Sequence, residues 1–431
     1  MKKILLIIFG TFLVISNSNA ESFNAALSKA FKNNSELNAE RENINISVQE
    51  YKISQGNYLP TVTLSGSKSS EDTNKLTNQS GGDATINDVD PLTKSISITQ
   101  TLIDFGRGAE LSKNKIGLEL AKAKLLKKEQ DILYKTTEAY TSLVLANEKL
   151  KINTDNVELL SRQVETDQIR VERGQITLSD VSQSESSLAE AQAKLIQAKN
   201  ELLTNKLNYE NIIGPLTDPK SLNKKTINEY PLPENLDSAI EISKKNNPDL
   251  IIAKLEYEQA QKDKTIAKSD LAPSANLSIE RSYTDDLSAT YDEREKDTLK
   301  ATVTWPFYSG GKNLASINKS SSLEIRSRLI LDSVTKQNQT NVASSWSRYQ
   351  SNKSLLNSVQ VQVRAAEIAN EGISAEYNSG AGRTTLEVIQ SNSLLLNAQI
   401  SLADSERNFI LSKFNLLKSI GLLHSEYLKI K

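Results

Sequence analysis

Residues 33–37 read Asn-Asn-Ser-Glu-Leu and residues 246–250 read Asn-Asn-Pro-Asp-Leu, so the chain carries almost the same five residues twice, 213 positions apart. Pro60 returns at the same spacing as Pro273. A period of this length is far too long for a solenoid repeat. It predicts a duplicated half-molecule in which each half runs helix, strand pair, long helix and helix.

The first twenty residues have the pattern of a secretory signal peptide. Lys2 and Lys3 precede the apolar stretch 4–15, and residues 18–20, Ser-Asn-Ala, fit a small-x-small cleavage site. The apolar stretch is too short to cross a bilayer as a helix. We therefore expect residues 1–20 to be a signal peptide and the chain to be exported.

The composition excludes most catalytic chemistry. The chain has no Cys, a single His (His424), one Met and a formal net charge of −1. Thiol chemistry, His-based acid–base pairs and His/Cys metal sites are therefore excluded or nearly so. A balanced charge also argues against a nucleic-acid partner. We expect no enzyme activity, no cofactor, and no catalytic or metal-binding residues.

Four segments alternate apolar and polar residues and are predicted as strands, at about 61–70, 95–104, 274–283 and 298–307. Each has about the length that a tilted strand needs to cross a bilayer. Four strands cannot close a barrel, and a membrane tolerates no open sheet edge. Several chains are therefore predicted to pool their strands. The alternative left open by the pattern is two hairpins on a soluble cap.

Polar segments connect the two strands of each pair. Residues 68–94 show no periodicity, and residues 284–297 are highly charged. Both are predicted as surface loops.

Each strand pair precedes two segments with helical patterns. The long helices are predicted at about 107–173 and 312–377, and the return helices at about 177–213 and 384–420. Apolar residues in the return segments fall every seven positions with small residues between them, which predicts coiled-coil packing of helix on helix.

These segments divide the chain into a first structural repeat, 21–214, and a second, 237–421. Between them, residues 215–236 contain four prolines and are predicted as a linker. Residues 422–431 are predicted as a short C-terminal tail.

In this order and spacing the chain resembles the TolC-type outer-membrane channel proteins over its whole mature length. The resemblance rests on the duplicated layout, on the strand-to-helix junctions 102–107 and 307–312, and on the helix-hairpin tips 171–181 and 377–388. It implies a mainly α protein with membrane β-strands. Three protomers would pool four strands each into a trimeric twelve-stranded β-barrel, continued by a coiled-coil α-helical periplasmic tunnel.

The resemblance also implies a function. The homotrimer would be the exit duct of a tripartite efflux or type I secretion system, embedded in outer-membrane lipid with its helical part in the periplasm. Its partners would be a periplasmic adaptor (membrane fusion protein) and an inner-membrane transporter. The rival interpretation is a secreted coiled-coil structural or adhesin protein without a pore, which predicts one uninterrupted helical rod.

In that family an acidic residue at the second tip lines the tunnel constriction, and links between the hairpins hold it shut. By motif position, the resemblance assigns the constriction to Glu387 and Gln390 and the gate links to Tyr377, Arg383, Ser179 and Asp180.

A second interpretation of the two tip carboxylates stays open. Thr177-x-x-Asp180 and Thr384-x-x-Glu387 both fit a helix capping box, in which the acid bonds back to the first-turn amide. Capping would explain both acids without a gate.

The resemblance implies two further surfaces. Adaptor docking is expected at the tip glycines Gly174 and Gly380, whose neighbours are more polar than the family's apolar-Gly-apolar contact. Phe105, Trp305, Phe307 and Tyr308 cluster at the strand-to-helix junctions. They fit either an interfacial aromatic belt or core packing beneath the junctions.

Overall fold

A computed structural model describes residues 21–73, 87–216, 218, 219, 222, 224, 227, 230–288, 291–380 and 382–430. The predicted signal peptide, the middle of the predicted loop 68–94 and part of the predicted linker lie outside the described residues.

Both halves of the chain follow the same order of elements, except that the first half also contains the short strands β2 and β3. The first half contains α1 (Phe23–Asn33), α2 (Ser35–Gly56), β1 (Thr61–Lys68), β2 (Glu71–Thr73), β3 (Asn87–Val89), β4 (Leu92–Ile103), α3 (Arg107–Glu172) and α4 (Leu178–Ile212). The second contains α5 (Leu236–Asn246), α6 (Pro248–Ser269), β5 (Ser274–Ser288), β6 (Tyr291–Thr304), α7 (Lys312–Ser379) and α8 (Thr385–Ser419). This shared order confirms the predicted duplication.

The main sheet is antiparallel, with strand order β1-β4-β5-β6. Each half of the chain contributes two adjacent strands, and β4 pairs with β5 across the two halves. The outer strands of this order are β1 and β6. The short strands β2 and β3 form a separate two-stranded sheet.

The strand ends differ from the prediction. Most of residues 284–297, predicted as a charged loop, is strand, because β5 continues to Ser288 and β6 begins at Tyr291. Backbone pairing continues there regardless of polarity, and opposite charges face each other: the Arg281 guanidinium lies 3.3 Å from Glu295 and 3.8 Å from Asp297. The segment 68–94, also predicted as a loop, contains the short paired strands β2 and β3, because their backbones pair with each other without an apolar pattern. In addition, β1 ends at Lys68, β4 begins at Leu92 and β6 ends at Thr304.

The chain packs as two units, and neither coincides with a repeat. Unit 1 contains the described residues of Met1–Ser35, Glu129–Ile240 and Val342–Lys431, and unit 2 contains Glu36–Lys128 and Glu241–Asn341. Each unit therefore takes residues from both halves of the sequence. The main sheet belongs to unit 2, and both helix-hairpin tips belong to unit 1.

Unit 1 has an aromatic core and closely packed helices. The ring of Phe23 meets the rings of Tyr140 and Phe414 edge-on, at centroid distances of 5.2 and 5.5 Å, and all three side chains are fully buried. The small residues Ala191 and Ala398, predicted to allow close helix packing, are buried as well. Among the described residues, no helix is both long enough and apolar enough to cross a membrane.

Candidate functional site

The long helices α3 and α7 both end in unit 1, and a glycine in the left-handed conformation follows each of them. Gly174 has φ 67° and its N–H donates to Val171 O at 2.9 Å, and Gly380 has φ 75° and donates to Tyr377 O at 3.3 Å. Such glycines end helices because a Cβ is unfavourable there. Among the described residues, no heavy atom outside the chain neighbours lies within 4 Å of the position that a Cβ would occupy at either glycine. Both turns therefore face open space.

Each return helix begins with a capping box. The Asp180 carboxylate accepts from Thr177 N at 2.9 Å, and the Thr177 hydroxyl accepts from Asp180 N at 3.3 Å. At the second tip, Glu387 accepts from Thr384 N at 2.8 Å, and Thr384 Oγ1 accepts from Glu387 N at 3.2 Å. Both predicted capping boxes are therefore present in the structure.

Glu387 also belongs to an ion-paired cluster at the second tip. Arg383 donates from Nη1 to Glu387 at 2.9 Å and from Nε to Glu376 at 2.6 Å. The backbone N–H of Thr384, followed by the Arg383 guanidinium, lowers the pKa of Glu387. At the first tip, the hydroxyl and then the backbone N–H of Thr177 lower the pKa of Asp180. Both carboxylates are therefore held ionised.

A buried carboxylate near the tips was not predicted from the sequence. Asp167, on α3, is fully buried. It accepts hydrogen bonds from Ser184 Oγ at 2.6 Å, from Tyr377 Oη at 2.7 Å and from Gln163 Nε2 at 2.9 Å. Three donors on one buried carboxylate supply the pairing that a buried charge requires.

Tyr377 connects the two helix hairpins through this carboxylate. Its hydroxyl donates to Asp167 and lies 3.0 Å from Thr385 Oγ1, at the start of α8. The Arg170 guanidinium lies 4.2 Å from the centre of the Tyr377 ring. Burial of the hydroxyl is the main reason that the pKa of Tyr377 is raised, and the neighbouring Asp167 carboxylate adds to it. The phenol therefore stays protonated and remains a donor to Asp167.

The predicted link residues are not brought together within the chain. In the described part of the chain, the hydrogen-bond partners of Tyr377 and Arg383 do not include Ser179 or Asp180. Ser179 and Gln390 are exposed.

A sequence signal for Asp167 did exist. It stands seven residues after the buried Leu160, so an acid occupies a position where the coiled-coil repeat places a buried residue.

The junction aromatics are exposed in unit 2. Phe105, Trp305, Phe307 and Tyr308 each leave more than half of their surface accessible. The Trp305 and Phe307 rings meet edge-on at 5.8 Å, and Trp305 Nε1 donates to Leu271 O at 3.1 Å. Core packing beneath the junctions, one of the two predicted alternatives, therefore does not describe these residues within one chain.

The described residues contain no group of three or more His, Cys, Asp or Glu side chains that could hold a metal ion.

Comparisons with known proteins agree with this layout. The family model described as outer membrane efflux protein matches residues 26–215 and 239–422, one match for each half. The outer membrane efflux protein BepC of Brucella suis biovar 1 (strain 1330) is 24% identical over 424 residues, covering 98% of this chain and 90% of BepC.

Solved structures share the fold. The CusC structure superposes with a TM-score of 0.81 at 16% identity, covering 93% of this chain and 92% of CusC. The CmeC outer membrane channel of Campylobacter jejuni superposes with a TM-score of 0.80 at 13% identity, covering 94% of this chain and 88% of CmeC.

Proposed function

This chain belongs to the outer membrane efflux protein family, and we propose that three copies of it form the outer-membrane exit channel of an efflux or type I secretion system. A periplasmic adaptor would couple this channel to an inner-membrane transporter. The observation that carries the proposal is the four-stranded sheet of unit 2, which has an exposed apolar face and two outer edges.

One face of the sheet, named here the apolar face, carries aliphatic side chains in register. The rung Val62–Ile98–Ile279–Leu299 crosses all four strands. Every one of these four side chains is exposed, and so are Leu64, Ile96 and Val303 on the same face. An apolar face of this kind fits lipid, because outer-membrane strands alternate apolar-out and polar-in.

The sheet edges support assembly from several chains. β1 and β6 are the outer strands of the sheet, and a membrane leaves unpaired backbone groups at such edges without water to bond them. Pairing β6 of one copy with β1 of the next would satisfy both edges. Three copies would then close twelve strands, as the family resemblance implies.

Exposed apolar side chains on the long and return helices support the same assembly. Leu203 on α4, Leu329 on α7 and Val361 on α7 each leave more than half of their surface accessible. Side chains of this size are costly to leave in water along a coiled-coil helix. Contacts with neighbouring copies would bury them.

The roles proposed for the tips follow the motif positions. Glu387 and Gln390 would line the constriction, and Tyr377, Arg383, Ser179 and Asp180 would contribute to the links that hold it shut. The open turns at Gly174 and Gly380 would receive the adaptor. The exposed belt of Phe105, Trp305, Phe307 and Tyr308 would lie at the membrane interface. Neither the family match nor the sheet supports the rival pore-free rod.

Disulfide trapping tests the assembly, because the chain has no native Cys. Ser65→Cys on β1 would be combined in turn with Lys296→Cys, Thr298→Cys or Lys300→Cys on β6. Within one chain, two strands separate β1 from β6, which is about 14 Å and beyond the reach of a disulfide. Oxidation of outer membranes should therefore give covalent dimers and trimers for one of these pairs.

The matched control pairs Ser65→Cys with Ser278→Cys on the inner strand β5, and it should give monomers. Monomers from every β1–β6 pair would contradict the assembly, as would a wild-type chain that is monomeric in detergent.

A further inference from the structure

The face of the sheet opposite the apolar face, named here the hydroxyl face, is formed by four rungs of four residues. They are Thr61–Thr99–Ser278–Lys300, Thr63–Ser97–Glu280–Thr298, Ser65–Ser95–Ser282–Lys296 and Ser67–Thr93–Thr284–Arg294. Twelve of these sixteen residues are Ser or Thr. Hydrogen bonds join some of the hydroxyls, such as Ser65 to Ser95 at 2.7 Å and Thr93 to Thr284 at 3.1 Å.

Strand β6 sorts its charges between the two faces. The even-numbered residues Arg294, Lys296 and Lys300 lie on the hydroxyl face. The odd-numbered Glu295 and Asp297 lie on the apolar face, where Asp297 is in the same rung as Leu64 and Ile96. Side chains of a strand alternate between faces, so this segregation follows directly from the sequence order. The next even-numbered residue, Asp292, lies near the turn, in the irregular stretch between the Asp285–Glu293 and Ser288–Tyr291 pairs.

The acids on the apolar face have a partner of their own. Arg281 pairs with Glu295 and Asp297 on that face. On the hydroxyl face all three basic side chains are exposed, and the ion pairs found among the described residues do not include them. Within the four rungs, three basic residues and Glu280 leave two positive charges per chain.

We propose that the hydroxyl face lines the outer end of the pore as an anion-attracting surface, suited to solutes that combine negative charge with hydrogen-bonding groups. This inference rests on the proposed assembly, in which the apolar face meets lipid and the hydroxyl face meets the pore. Three copies would bring six net positive charges into a passage wider than the side-chain-filled interior of an eight-stranded barrel and narrower than a sixteen-stranded porin channel. A narrow passage with low-dielectric walls focuses such a field.

The test uses inorganic tripolyphosphate as a multivalent anion in planar bilayers. Added on the strand side of wild-type channels, it should reduce the current, and raising the salt concentration should weaken this block. The double variant Lys296→Gln/Lys300→Gln should need about tenfold more tripolyphosphate, or still higher concentrations, for the same block, because it removes six charges from the assembled pore. The conservative variant Lys296→Arg/Lys300→Arg should be blocked like the wild type.

The matched control is Lys94→Gln, which removes an exposed lysine from the opposite face, where Lys94 pairs with Tyr283. It should be blocked like the wild type. Wild-type channels that conduct but resist tripolyphosphate, or equal block of the wild type and the double variant, would overturn this inference while leaving the proposed channel standing. A wild-type chain that forms no channels would overturn both.

Discussion

Glu387 bonds to both a backbone amide and Arg383. Mutations therefore have to separate its role as a helix cap from the effect of its charge. Glu387→Gln keeps an acceptor for Thr384 N, since Gln also serves in capping boxes, but it removes the charge. Thr384→Ala removes the hydroxyl cap and keeps the charge. We expect Glu387→Gln to raise channel conductance with little change in melting temperature. Thr384→Ala should cost about 1 kcal/mol of unfolding free energy with wild-type conductance.

Single-channel recording and thermal unfolding of the two variants decide this prediction. Wild-type conductance in Glu387→Gln would leave capping as the whole role of this carboxylate. Asp180→Asn is the matched change at the first tip, where the acid caps in the same way. Because Asp180 is assigned to a gate link and not to the constriction, this variant should leave the single-channel conductance unchanged and alter only the fraction of time that the channel is open.

Asp167 offers a second residue-scale prediction, because its donors come from different hairpins. Tyr377→Phe removes the donor on α7, whereas Ser184→Ala removes a donor on α4 within the same hairpin as Asp167. Each change should cost about 1–3 kcal/mol, since a buried acceptor loses a partner. Only Tyr377→Phe should also raise the fraction of time that the channel is open. Equal open fractions in both variants would show that the Tyr377 bond stabilises the fold without restraining the tips.

The two capping boxes were predictable from sequence because a capping box is local, with its two partners three residues apart. The Tyr377–Asp167 bond was not, because its partners lie 210 residues apart and meet only through tertiary packing. A charged residue at a buried coiled-coil position was the available clue, and its partner could not be inferred from helical spacing.

At the scale of elements, replacing the glycines that follow α3 and α7 by alanine should affect stability in the opposite direction from replacing a glycine inside a helix. Gly174→Ala and Gly380→Ala place a Cβ in the left-handed region, which should cost about 1–2 kcal/mol each. Gly372 lies inside α7 with open space around it, so Gly372→Ala should stabilise by about 0.5–1 kcal/mol through better helix propensity. Chemical denaturation of the three variants checks both the size and the opposite sign of these effects. A stabilising Gly174→Ala would contradict the role assigned to this turn.

The helices were easier to predict than the strands. The seven-residue spacing that places Ala191 and Ala198 in a buried seam is visible in the sequence, whereas the charged ends of β5 and β6 look like loop. Those strands continue because Arg281 and its acidic partners face each other across the hairpin, and such pairing depends on a register that composition does not reveal.

At the scale of the whole molecule, the two packing units predict what a deletion removes. Residues 61–104 hold β1 to β4 and lie in unit 2, outside unit 1. Their removal should abolish outer-membrane insertion and leave a strong helical signal. Membrane fractionation and circular dichroism measure the two effects. Deleting 274–304, the other hairpin, should give the same result, and outer-membrane insertion of either deletion would contradict the role given to the sheet.

The duplication was visible in the sequence, but the division into packing units was not. Repeated residues show which segments are equivalent, whereas the units depend on contacts between segments far apart in the chain, so each unit combines pieces of both repeats.

The pairing of β4 with β5 has a consequence for the ancestry of the molecule. This pairing places the hairpin of the first half beside the hairpin of the second half, and the proposed β6–β1 pairing would do the same between copies. A closed barrel would then consist of six similar hairpins. A half-length ancestor could have formed the same barrel from six identical chains. Fusing two halves reduces the strict symmetry from sixfold to threefold. Only after fusion could the second tip acquire the Arg383 cluster while the first tip kept a capping box alone. Alternating tips around the barrel axis could then have different functions.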